Sequence, residues 1–388
     1  MAAQIGNRLG GLARLAVDRG VPPEWLGFRG IAHCDLDDIS TPPPPGVRRH
    51  IVQPCDVASN PLPLNVDGVD ELPDDRGWWG YSMRDVPHRR SGPTYLATVD
   101  DATVTWYRNR HGDFVPAVLS GNRRSLDMRE MRWRRPHAAV RRSQPVHHLR
   151  SAVWILERAF HNHSHWLTAH VPKLVILRDQ GLLEEILLPE EPTAMMASSL
   201  RRLGIEPDEL RRFDEDHVLR IDQLTLVGND RFRPELLRTV RDALAVPTER
   251  PHRRLYISRS RATRRRLVNE PEIVGILRDA GFESVVLEDM SVEEQAELMG
   301  QASVICGPHG AGLTNMVLCA PGTHVIEFAD LDFPNPNFYA MSAALGHPYW
   351  LLPAEVAGPG SPLERDMSVD PSRLERTIRL VDGASSRR

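Results

Sequence analysis

The sequence is poor in cysteine, in lysine and in long apolar runs. Its four cysteines, Cys34, Cys55, Cys306 and Cys319, are widely spaced in 388 residues and form no Cys-x-x-Cys pair. This spacing argues against a disulfide framework or a zinc ribbon and is typical of a reducing compartment. No stretch approaches the ~18 apolar residues that span a bilayer, and the N-terminus lacks the apolar core of a signal peptide. We therefore expect a cytoplasmic protein without a transmembrane segment, which leaves peripheral membrane association open.

Lysine occurs once, at Lys173, so arginine supplies 48 − 1 = 47 of the basic side chains. Because Asp and Glu number 52, the formal net charge is 48 − 52 = −4. This balance argues against a generally basic, nucleic-acid-binding surface. We interpret the excess of arginine as a replacement of lysine throughout the chain.

Length and composition predict a globular protein of about two domains, at about 100–200 residues each. Residues 1–90 include the proline run Pro42–Pro45 and are predicted to be an irregular, proline-rich N-terminal region. We expect an N-terminal α/β domain over residues 91–245, a second α/β domain over residues 250–350, and a C-terminal tail with a helix over residues 351–388.

The first half is predicted to mix strands and helices. β-Branched and aromatic runs indicate strands over residues 94–99, 102–107, 114–119 and 218–227. Apolar residues at helical spacing indicate helices over residues 151–160, 166–178, 198–203, 207–213 and 234–245.

The second half has the clearer order. Strands are predicted over residues 255–258, 283–287, 303–306 and 323–328. Between them, Asn269 with Glu272 and Ser291 with Glu294 have the spacing of capping boxes that begin helices, and Gly281 ends the first of these. This alternation predicts right-handed βαβ units and a Rossmann-like parallel sheet.

A glycine-rich segment, Gly307-Pro-His-Gly-Ala-Gly-Leu-Thr-Asn, joins the third of these strands to a helix expected from about Ala311. Ligands of open α/β sheets bind at the carboxyl ends of strands, and a helix N-terminus there offers unpaired N–H groups. The segment therefore predicts a phosphate site, with His309 as a hydrogen-bond donor to a diphosphate and Asn315 holding the loop. The alternative is a tight turn that needs glycine only for steric reasons.

Arginines follow the first strand of the same half, in Ser258-Arg-Ser-Arg-Ala-Thr-Arg-Arg-Arg. Because this segment begins at the same sheet edge, Arg259 or Arg261 is expected to clamp phosphates. A solvated face is favoured for at least two of the arginines at 264–266. Glu327 ends the fourth strand at this edge, either to accept hydrogen bonds from ribose hydroxyls or to pair with an arginine.

Two further patterns resemble metal ligands only superficially. The histidines of His161-Asn-His-Ser-His would share one face only on a strand, whereas the segment joins two predicted helices. Three Asp-x-Asp triplets, at 35/37, 214/216 and 330/332, are expected by chance among 52 acidic residues. We predict no metal site.

The motifs of the second half resemble those of glycosyltransferase family 61. The matching elements are Tyr256-Ile-Ser-Arg, Asn269-Glu270, Gly281-Phe282, Gln295, the glycine-rich segment, Pro321-Gly322 and Glu327. Upstream, Asn162-x-x-His165-Trp166-Leu167 resembles the Asn-x-x-His-Trp segment of the family, although Ser164 and Thr168-Ala-His replace its usual aromatic and acidic residues. The resemblance covers roughly residues 90–350.

The resemblance implies an α/β protein with two Rossmann-like domains facing across a cleft, as in GT-B glycosyltransferases. It implies inverting transfer from a nucleotide sugar, commonly UDP-linked, that is held by the C-terminal domain. Asn162 and Trp166 are then acceptor-side residues. The expected donor-binding residues are Arg259, Arg261, Arg266, Gly307, His309, Gly310, Ala311, Gly312, Leu313, Asn315 and Glu327.

Our functional hypothesis is direct displacement at the anomeric carbon by a glycan or glycoconjugate hydroxyl, in polysaccharide biosynthesis. His165 is the candidate base, because a neutral imidazole suits proton removal near pH 7; the equally weighted alternative is that it caps or packs a helix. Loop amides, His309 and Arg259 would stabilise the leaving diphosphate, so no metal or other cofactor is expected. The alternatives are a non-catalytic nucleotide- or sugar-binding module and, less favoured, a nucleic-acid-binding protein.

Overall fold

The computed structural model describes residues 30–74, 81–109 and 112–385, together with Ala16, Arg19 and Val21. The chain divides into two compact units, each made of two segments. The first unit comprises Met1–Cys55 and Gly92–Asp230, and the second comprises Asp56–Ser91 and Arg231–Arg388. The N-terminal 90 residues are thus divided between the two units, and residues 246–249, which separate the two α/β domains expected from the sequence, belong to the second unit.

The protein has a mixed α/β fold. Its described strands are β1 (Ala32–Asp35), β2 (Val47–Gln53), β3 (Asp56–Ser59), β4 (His88–Ser91), β5 (Thr94–Arg108), β6 (Phe114–Leu119), β7 (Arg124–Asp127), β8 (Val146–Trp154), β9 (Leu187–Pro189), β10 (Arg211–Phe213), β11 (Val218–Gly228), β12 (Arg253–Ile257), β13 (Phe282–Val285), β14 (Ala302–Pro308), β15 (His324–Asp330), β16 (Tyr349–Ala357) and β17 (Asp366–Ser368). Its main helices are α1 (Arg135–Ser143), α2 (Val171–Asp179), α3 (Ala194–Arg202), α4 (Pro234–Leu244), α5 (Glu270–Asp279), α6 (Val292–Gly300), α7 (Asn337–Leu345) and α8 (Pro371–Ser385). No helix in the described ranges is long and apolar enough to cross a membrane.

The first unit contains a mixed sheet with the strand order β1-β7-β6-β5-β11-β8, in which β2 also pairs with β5. The pairs β1–β7 and β8–β11 are parallel, whereas β2–β5, β5–β6, β6–β7 and β5–β11 are antiparallel. This pairing differs from the Rossmann-like parallel sheet that the resemblance implies for this half. The connections β5–β6 and β6–β7 are only a few residues long, and short connections join antiparallel strands.

Strand β5 replaces the two strands predicted over residues 94–99 and 102–107. Strand β11 pairs with it from Tyr95 to Val104, across Asp100 and Asp101. On its other edge β5 changes partner at this point, from β2 to β6. The two consecutive aspartates, Asp100 and Asp101, therefore lie where β5 passes from pairing with β2 to pairing with β6. Asp101 has a positive φ of 52° at this position.

The predicted helix over residues 151–160 is wrong, because residues 146–154 form β8 and pair in parallel with β11. The C-terminal residues of β8, Ala152 to Trp154, are buried on both faces of the sheet. The periodicity of apolar residues alone does not distinguish such a strand from a buried helix. Residues 207–213 likewise form a single 3₁₀ turn and β10. The helices predicted over residues 166–178, 198–203 and 234–245 are confirmed, the first as a π-helical turn, Trp166–His170, that continues into α2.

The chain's one lysine lies inside the first unit. Lys173, on α2, is 2% exposed, and its ammonium contacts the Glu157 carboxylate and donates to Ile155 O at 3.1 Å. Arg129 donates to the same carboxylate from Nε at 3.1 Å and from Nη2 at 2.7 Å. Burial alone would raise the pKa of Glu157, but the charges of Arg129 and Lys173 outweigh it and hold that pKa well below its usual range. This buried cluster ties α2 to the segments that follow β7 and β8.

We predict that Glu157→Gln destabilises the protein by about 3–5 kcal/mol in urea unfolding at pH 7, because it leaves the buried Lys173 ammonium without its carboxylate and removes the partner of the partly exposed Arg129 side chain. Since the pKa of Glu157 is depressed on folding, its contribution is present above about pH 4.3, the unfolded value, and is lost as the pH falls below it. The matched control is Glu215→Gln, which breaks the Arg108–Glu215 ion pair between side chains 41% and 32% exposed. That change is expected to cost less than about 1 kcal/mol. Equal losses in the two variants would contradict this account.

The second unit contains a sheet with the strand order β13-β12-β14-β15-β16-β17, in which only the β16–β17 pair is antiparallel. The parallel sheet predicted for this half is therefore confirmed. In chain order its first five strands are arranged 2-1-3-4-5, which is one of the two common doubly wound arrangements. The strand order reverses between β12 and β14, and ligands of such sheets bind at the carboxyl ends of the strands at that position.

Two capping boxes were predicted at helix starts of this unit, and the structure contains one of them. The capping box of α6 is confirmed, since Ser291 Oγ accepts from Glu294 N at 3.2 Å and Glu294 Oε2 accepts from Ser291 N at 2.7 Å. The box predicted for α5 is wrong, because the Asn269 amide instead bonds both backbone groups of Val369, at 2.8 and 3.2 Å. Gly281 follows α5 with a φ of 79°, as predicted for a helix end.

Candidate functional site

The glycine-rich segment lies at the switch point, where it packs against the end of β12. A Cβ on Gly307 would lie 2.8 Å from Ile257 O, and one on Gly312 would lie 2.9 Å from Ile257 Cγ2. For these two positions the steric reading of the glycines is correct. Gly310 differs, because its φ of 177° suits any residue and a Cβ there would collide with the Arg259 guanidinium. The loop is thus shaped to hold an arginine against its backbone.

The loop leads into a 3₁₀ helix, Ala311–Leu318. Its first hydrogen bond runs from Leu313 N to Gly310 O at 3.0 Å, so the amides of Ala311 and Gly312 precede the bonded turn. Both residues are partly exposed, whereas Leu313 is buried and is available only through its backbone. Asn315 is also buried, and its Nδ2 donates to Gln295 Oε1 on α6 at 2.9 Å. Ala311 and Gly312 are therefore the partly exposed residues of the segment 307–315, and their amides precede its first hydrogen-bonded turn.

His309 is part of a buried hydrogen-bond chain. Asn337 N donates to Asn335 Oδ1 at 3.0 Å, which turns the Asn335 amide nitrogen toward His309 Nε2, 3.2 Å away. His309 Nδ1 contacts the Glu327 carboxylate. These partners require that Nε2 accepts and Nδ1–H donates, which is the pattern of a neutral imidazole. His309 is 7% exposed. In this arrangement its ring holds the loop, and the predicted donation to a diphosphate would need Nε2 to be protonated and released by Asn335.

Glu327 is 1% exposed and lies at the centre of the same chain. Its second oxygen accepts from Tyr349 OH at 2.6 Å. Burial, and then the Glu327 carboxylate, raise the pKa of Tyr349, which keeps its hydroxyl protonated as a donor. Glu327 thus has histidine and tyrosine partners, and neither predicted role, ribose contact or arginine pairing, matches these contacts. Sequence reasoning missed Tyr349 and Asn335, because no local pattern marks residues that meet only through the fold.

Arg259 is held in place by backbone carbonyls. Its Nε donates to Arg265 O at 3.2 Å and its Nη2 to Arg264 O at 2.9 Å, while Nη1 lies against Gly310. Burial lowers its pKa from the usual arginine value. No carboxylate within the described ranges lies at ion-pair distance from Arg259. A fixed, partly buried cation without a carboxylate partner can bind an anion at the glycine loop.

The other predicted arginines are neutralised by carboxylates. Arg261 pairs with Asp289 at 2.5 Å, and Arg266 pairs with Asp366 at 2.9 Å. Both side chains are mostly exposed. The geometry therefore singles out Arg259 among the three arginines predicted to bind the donor.

The residues predicted for the acceptor side lie in the first unit. Asn162 Oδ1 caps a short helix, His163–His165, by accepting from Ser164 N at 2.9 Å and from His165 N at 3.3 Å. Trp166 is buried, and its indole donates to Ser199 Oγ at 2.8 Å. Asn162 and Trp166 thus have structural contacts that fix the chain on either side of the candidate base.

His165, the candidate base, is partly exposed. Its Nδ1 lies 3.8 Å from Glu130 Oε1, and its carbonyl oxygen lies 3.0 Å from His170 Nδ1. His170 Nε2 accepts from Glu157 N at 3.1 Å, so the ring is neutral and donates from Nδ1. Burial lowers the pKa of His170 to about 3. His165 is therefore held by its backbone next to a carboxylate, and sequence reasoning missed Glu130 because it is 35 positions away.

No cluster of three or more metal-ligating side chains occurs among the residues described. The Asp-x-Asp triplets have protein partners instead. Asp330 and Asp332 both accept from Arg365, and Asp37 accepts from Tyr95 OH and Arg129 N.

Comparison with known proteins relates part of the chain to a family of glycosyltransferases. The sequence model of glycosyltransferase 61 matches residues 163–326. A β-1,2-xylosyltransferase of Oryza sativa subsp. japonica is 32% identical over 124 residues, which cover 31% of this chain and 22% of that protein. A β-1,2-xylosyltransferase of Arabidopsis thaliana is 33% identical over 97 residues, which cover 22% of this chain and 18% of that protein. The chain thus spans about a fifth of the length of these relatives.

The glycine loop and Arg259 lie within the residues that the family model matches. A glycine loop, and an arginine without a carboxylate at ion-pair distance in the described residues, lie at the switch point of a parallel sheet, where ligands of such folds bind. The match over residues 163–326 agrees with the resemblance that the sequence motifs carry.

We predict that Gly307→Ala destabilises the protein by about 1–3 kcal/mol, because its Cβ would press on a backbone oxygen of β12. The matched control is Gly275→Ala on α5, where a Cβ meets no atom within 4 Å. That change is expected to leave stability unchanged or to raise it by about 0.5–1 kcal/mol. Urea unfolding measures both, and a Gly307→Ala protein as stable as the wild type would contradict the packing described.

Proposed function

We propose that the protein is an inverting glycosyltransferase that moves a sugar from a UDP-linked donor to a hydroxyl of a glycan or glycoconjugate. The observation that carries this proposal is the Arg259 guanidinium, fixed against Gly310 beside two leading loop amides and without a carboxylate partner in the described residues. The family match over residues 163–326 supplies the reaction class. Because these relatives are β-1,2-xylosyltransferases, UDP-xylose is the first donor to test.

The proposed reaction is a direct displacement. The acceptor oxygen forms a bond to the anomeric carbon while the bond from that carbon to the diphosphate oxygen breaks, and a base takes the hydroxyl proton. The products are a glycoside of inverted configuration and a nucleoside diphosphate. Negative charge develops on the leaving diphosphate, where Arg259 and the amides of Ala311 and Gly312 would stabilise it. This clamp is the reason to propose that the reaction needs no metal ion.

Within this proposal His309, Glu327 and Asn315 are positioning residues. Their hydrogen bonds run to other protein groups and hold the loop backbone in place. Preorganised amides stabilise developing charge without reorganising, so a rigid loop favours catalysis. We therefore assign donor contact to Arg259 and to the loop backbone rather than to the His309 side chain.

The wider context of the enzyme is also a proposal. The GT-B arrangement of the two units is inferred from the family resemblance and from the parallel sheet of the second unit. We propose a cytoplasmic location and a role in polysaccharide biosynthesis on the sequence argument alone. Nucleic-acid binding is disfavoured, because carboxylates pair with several arginines of the Arg259–Arg266 segment.

We predict that UDP and UDP-sugars raise the melting temperature of the wild-type protein in a nucleotide-sugar panel, since a ligand of the folded state stabilises it by mass action. Arg259→Gln is expected to abolish most of this shift. Arg266→Gln, which removes an exposed, ion-paired guanidinium, is the matched control and should keep it. The absence of any response to nucleotides would sink the proposed function, and binding without hydrolysis or transfer would favour a non-catalytic module.

If His165 is the base, we predict that His165→Ala lowers kcat about 10²–10⁴-fold with little change in donor KM. His163→Ala, in the same short helix, is the control and should retain turnover. The measurement is initial-rate kinetics with the donor found in the panel, across pH 5–9. Near-normal turnover of His165→Ala would remove this residue from the mechanism and leave it a helix-packing role.

A further inference from the structure

Two partly exposed side chains of the first unit, Glu130 and His165, come together from separate parts of the sequence. Glu130 Oε1 lies 3.8 Å from His165 Nδ1, and the two side chains are 30% and 25% exposed. This separation is within ion-pair range and is longer than a hydrogen bond. Because neither side chain is fully buried, a ligand can reach the imidazole while the carboxylate stays beside it.

Glu130 lies in a turn whose backbone is held by buried groups. The turn 128–131 is closed by two backbone hydrogen bonds, at 2.9 and 2.6 Å. Inside it Arg129 has a positive φ of 29°, which is uncommon for a residue with a side chain. Arg129 N donates to Asp37 Oδ2 at 2.8 Å, and the Arg129 guanidinium donates to the buried Glu157 carboxylate. Such conformations persist where the surrounding structure imposes them, and they cluster at active sites.

His165 is held through the same buried residue. Its carbonyl oxygen accepts from His170 Nδ1 at 3.0 Å, and His170 Nε2 accepts from Glu157 N at 3.1 Å. Glu157 therefore holds Arg129 by its side chain and His170 by its backbone. Since Arg129 precedes Glu130 and His170 bonds the backbone of His165, buried groups set the spacing of the two partly exposed side chains.

A carboxylate beside Nδ1 of an imidazole has two effects on that ring. It favours the tautomer that carries its proton on Nδ1, so Nε2 is the nitrogen that can take a proton. Its negative charge also stabilises the imidazolium that forms when Nε2 does so. Hydrogen bonds of catalytic groups are often long in structures without a substrate and shorten when it binds. The 3.8 Å separation of Glu130 and His165 is compatible with both effects.

We propose that Glu130 is a positioning residue for the transfer reaction, which makes His165 Nε2 the proton-accepting atom and stabilises the imidazolium formed there. This inference rests on the proposed function and adds a residue to its acceptor side. In the reaction step the acceptor oxygen forms its bond to the anomeric carbon, and its proton passes to Nε2. The electron pair of the breaking carbon–oxygen bond leaves with the nucleoside diphosphate. Glu130 stays ionised throughout and takes no proton.

Three charged groups of the buried cluster also lie near this pair, and they are Arg129, Glu157 and Lys173. Arg129 attracts Glu130, but its guanidinium donates to both oxygens of the buried carboxylate. Burial lowers the pKa of His170 to about 3, so its ring carries no charge near neutral pH. His163, in the same short helix as His165, is the other titratable group of that segment. Variants of Glu130 leave all these groups in place, so a change in the titration of His165 reports Glu130.

The first test reads the His165 ring by NMR of the full chain with ¹⁵N-labelled histidine, and His165→Ala identifies its signals among the 16 histidines. Wild type is expected to show His165 in the Nδ1–H form at high pH. Glu130→Gln is expected to move the midpoint of the His165 titration to lower pH by about 0.5–1 unit, because the charge that stabilises the imidazolium is removed.

The matched control is Glu215→Gln, which removes a carboxylate 32% exposed and paired with Arg108. It is expected to leave the His165 midpoint within about 0.2 unit, because solvent and salt screen distant exposed charges. A His165 ring in the Nε2–H form, or a midpoint that Glu130→Gln does not move, would overturn the proposal.

The second test is the pH dependence of kcat/KM with the donor found in the nucleotide-sugar panel. Glu130→Gln is expected to lower kcat about tenfold or more with little change in donor KM. The acid limb of its profile should move to lower pH by the same amount as the NMR midpoint. Glu130→Asp keeps the charge and is expected to recover part of the rate. A lower melting temperature with the acid limb unmoved would show a merely structural role and overturn the proposal.

The two tests distinguish this inference from the proposed function. If the protein transfers sugar and its turnover depends on His165 but not on Glu130, the inference fails and the function stands. If Glu130 governs the titration of His165 while no donor of the panel is hydrolysed or transferred, the pairing stands, and both the function and the catalytic role of the pair fail.

Discussion

The second unit depends on one close backbone approach, that of Gly307 to the Ile257 carbonyl oxygen. No residue with a side chain fits there, because its Cβ would lie 2.8 Å from that oxygen. This close approach brings the end of β14 against the end of β12. Gly310, the next glycine in the loop, leaves room for the Arg259 guanidinium. A buried hydrogen-bond chain through His309, Glu327 and Tyr349 also holds the loop. Backbone sterics place the site, and side-chain hydrogen bonds keep it in one arrangement.

Features with local causes were predictable from the sequence, and features with distant partners were not. The Ser291 capping box closes within four residues, so its spacing alone predicts it. Asn269 has the same pattern, yet its amide bonds Val369, 100 residues away. Strand β8 was mistaken for a helix because its partner, β11, decides its conformation. The parallel order of the second sheet was predictable, because alternating strands and helices leave few ways to connect them.

The candidate site shows the same division. The glycine loop and Arg259 are recognisable from spacing, since both follow strands that end at one sheet edge. Which arginines remain available to a ligand is decided by carboxylates far along the chain, such as Asp366 beside Arg266. The sequence offers no means of sorting them, because every member of an arginine-rich run looks alike until its counter-ions are located. The role of Glu327 was missed for a related reason: its partner Tyr349 belongs to the adjacent strand, and strand register is a tertiary property.

The burial of Lys173 has a practical consequence for work with this protein. Since no other lysine exists in the chain, its surface presents no side-chain primary amine to acylating reagents, crosslinkers or amine-coupling supports. Lys173 is reached only when α2 separates from the Glu157 carboxylate. Modification of this single ammonium, read by mass spectrometry, would therefore report the opening of the first unit at one known position.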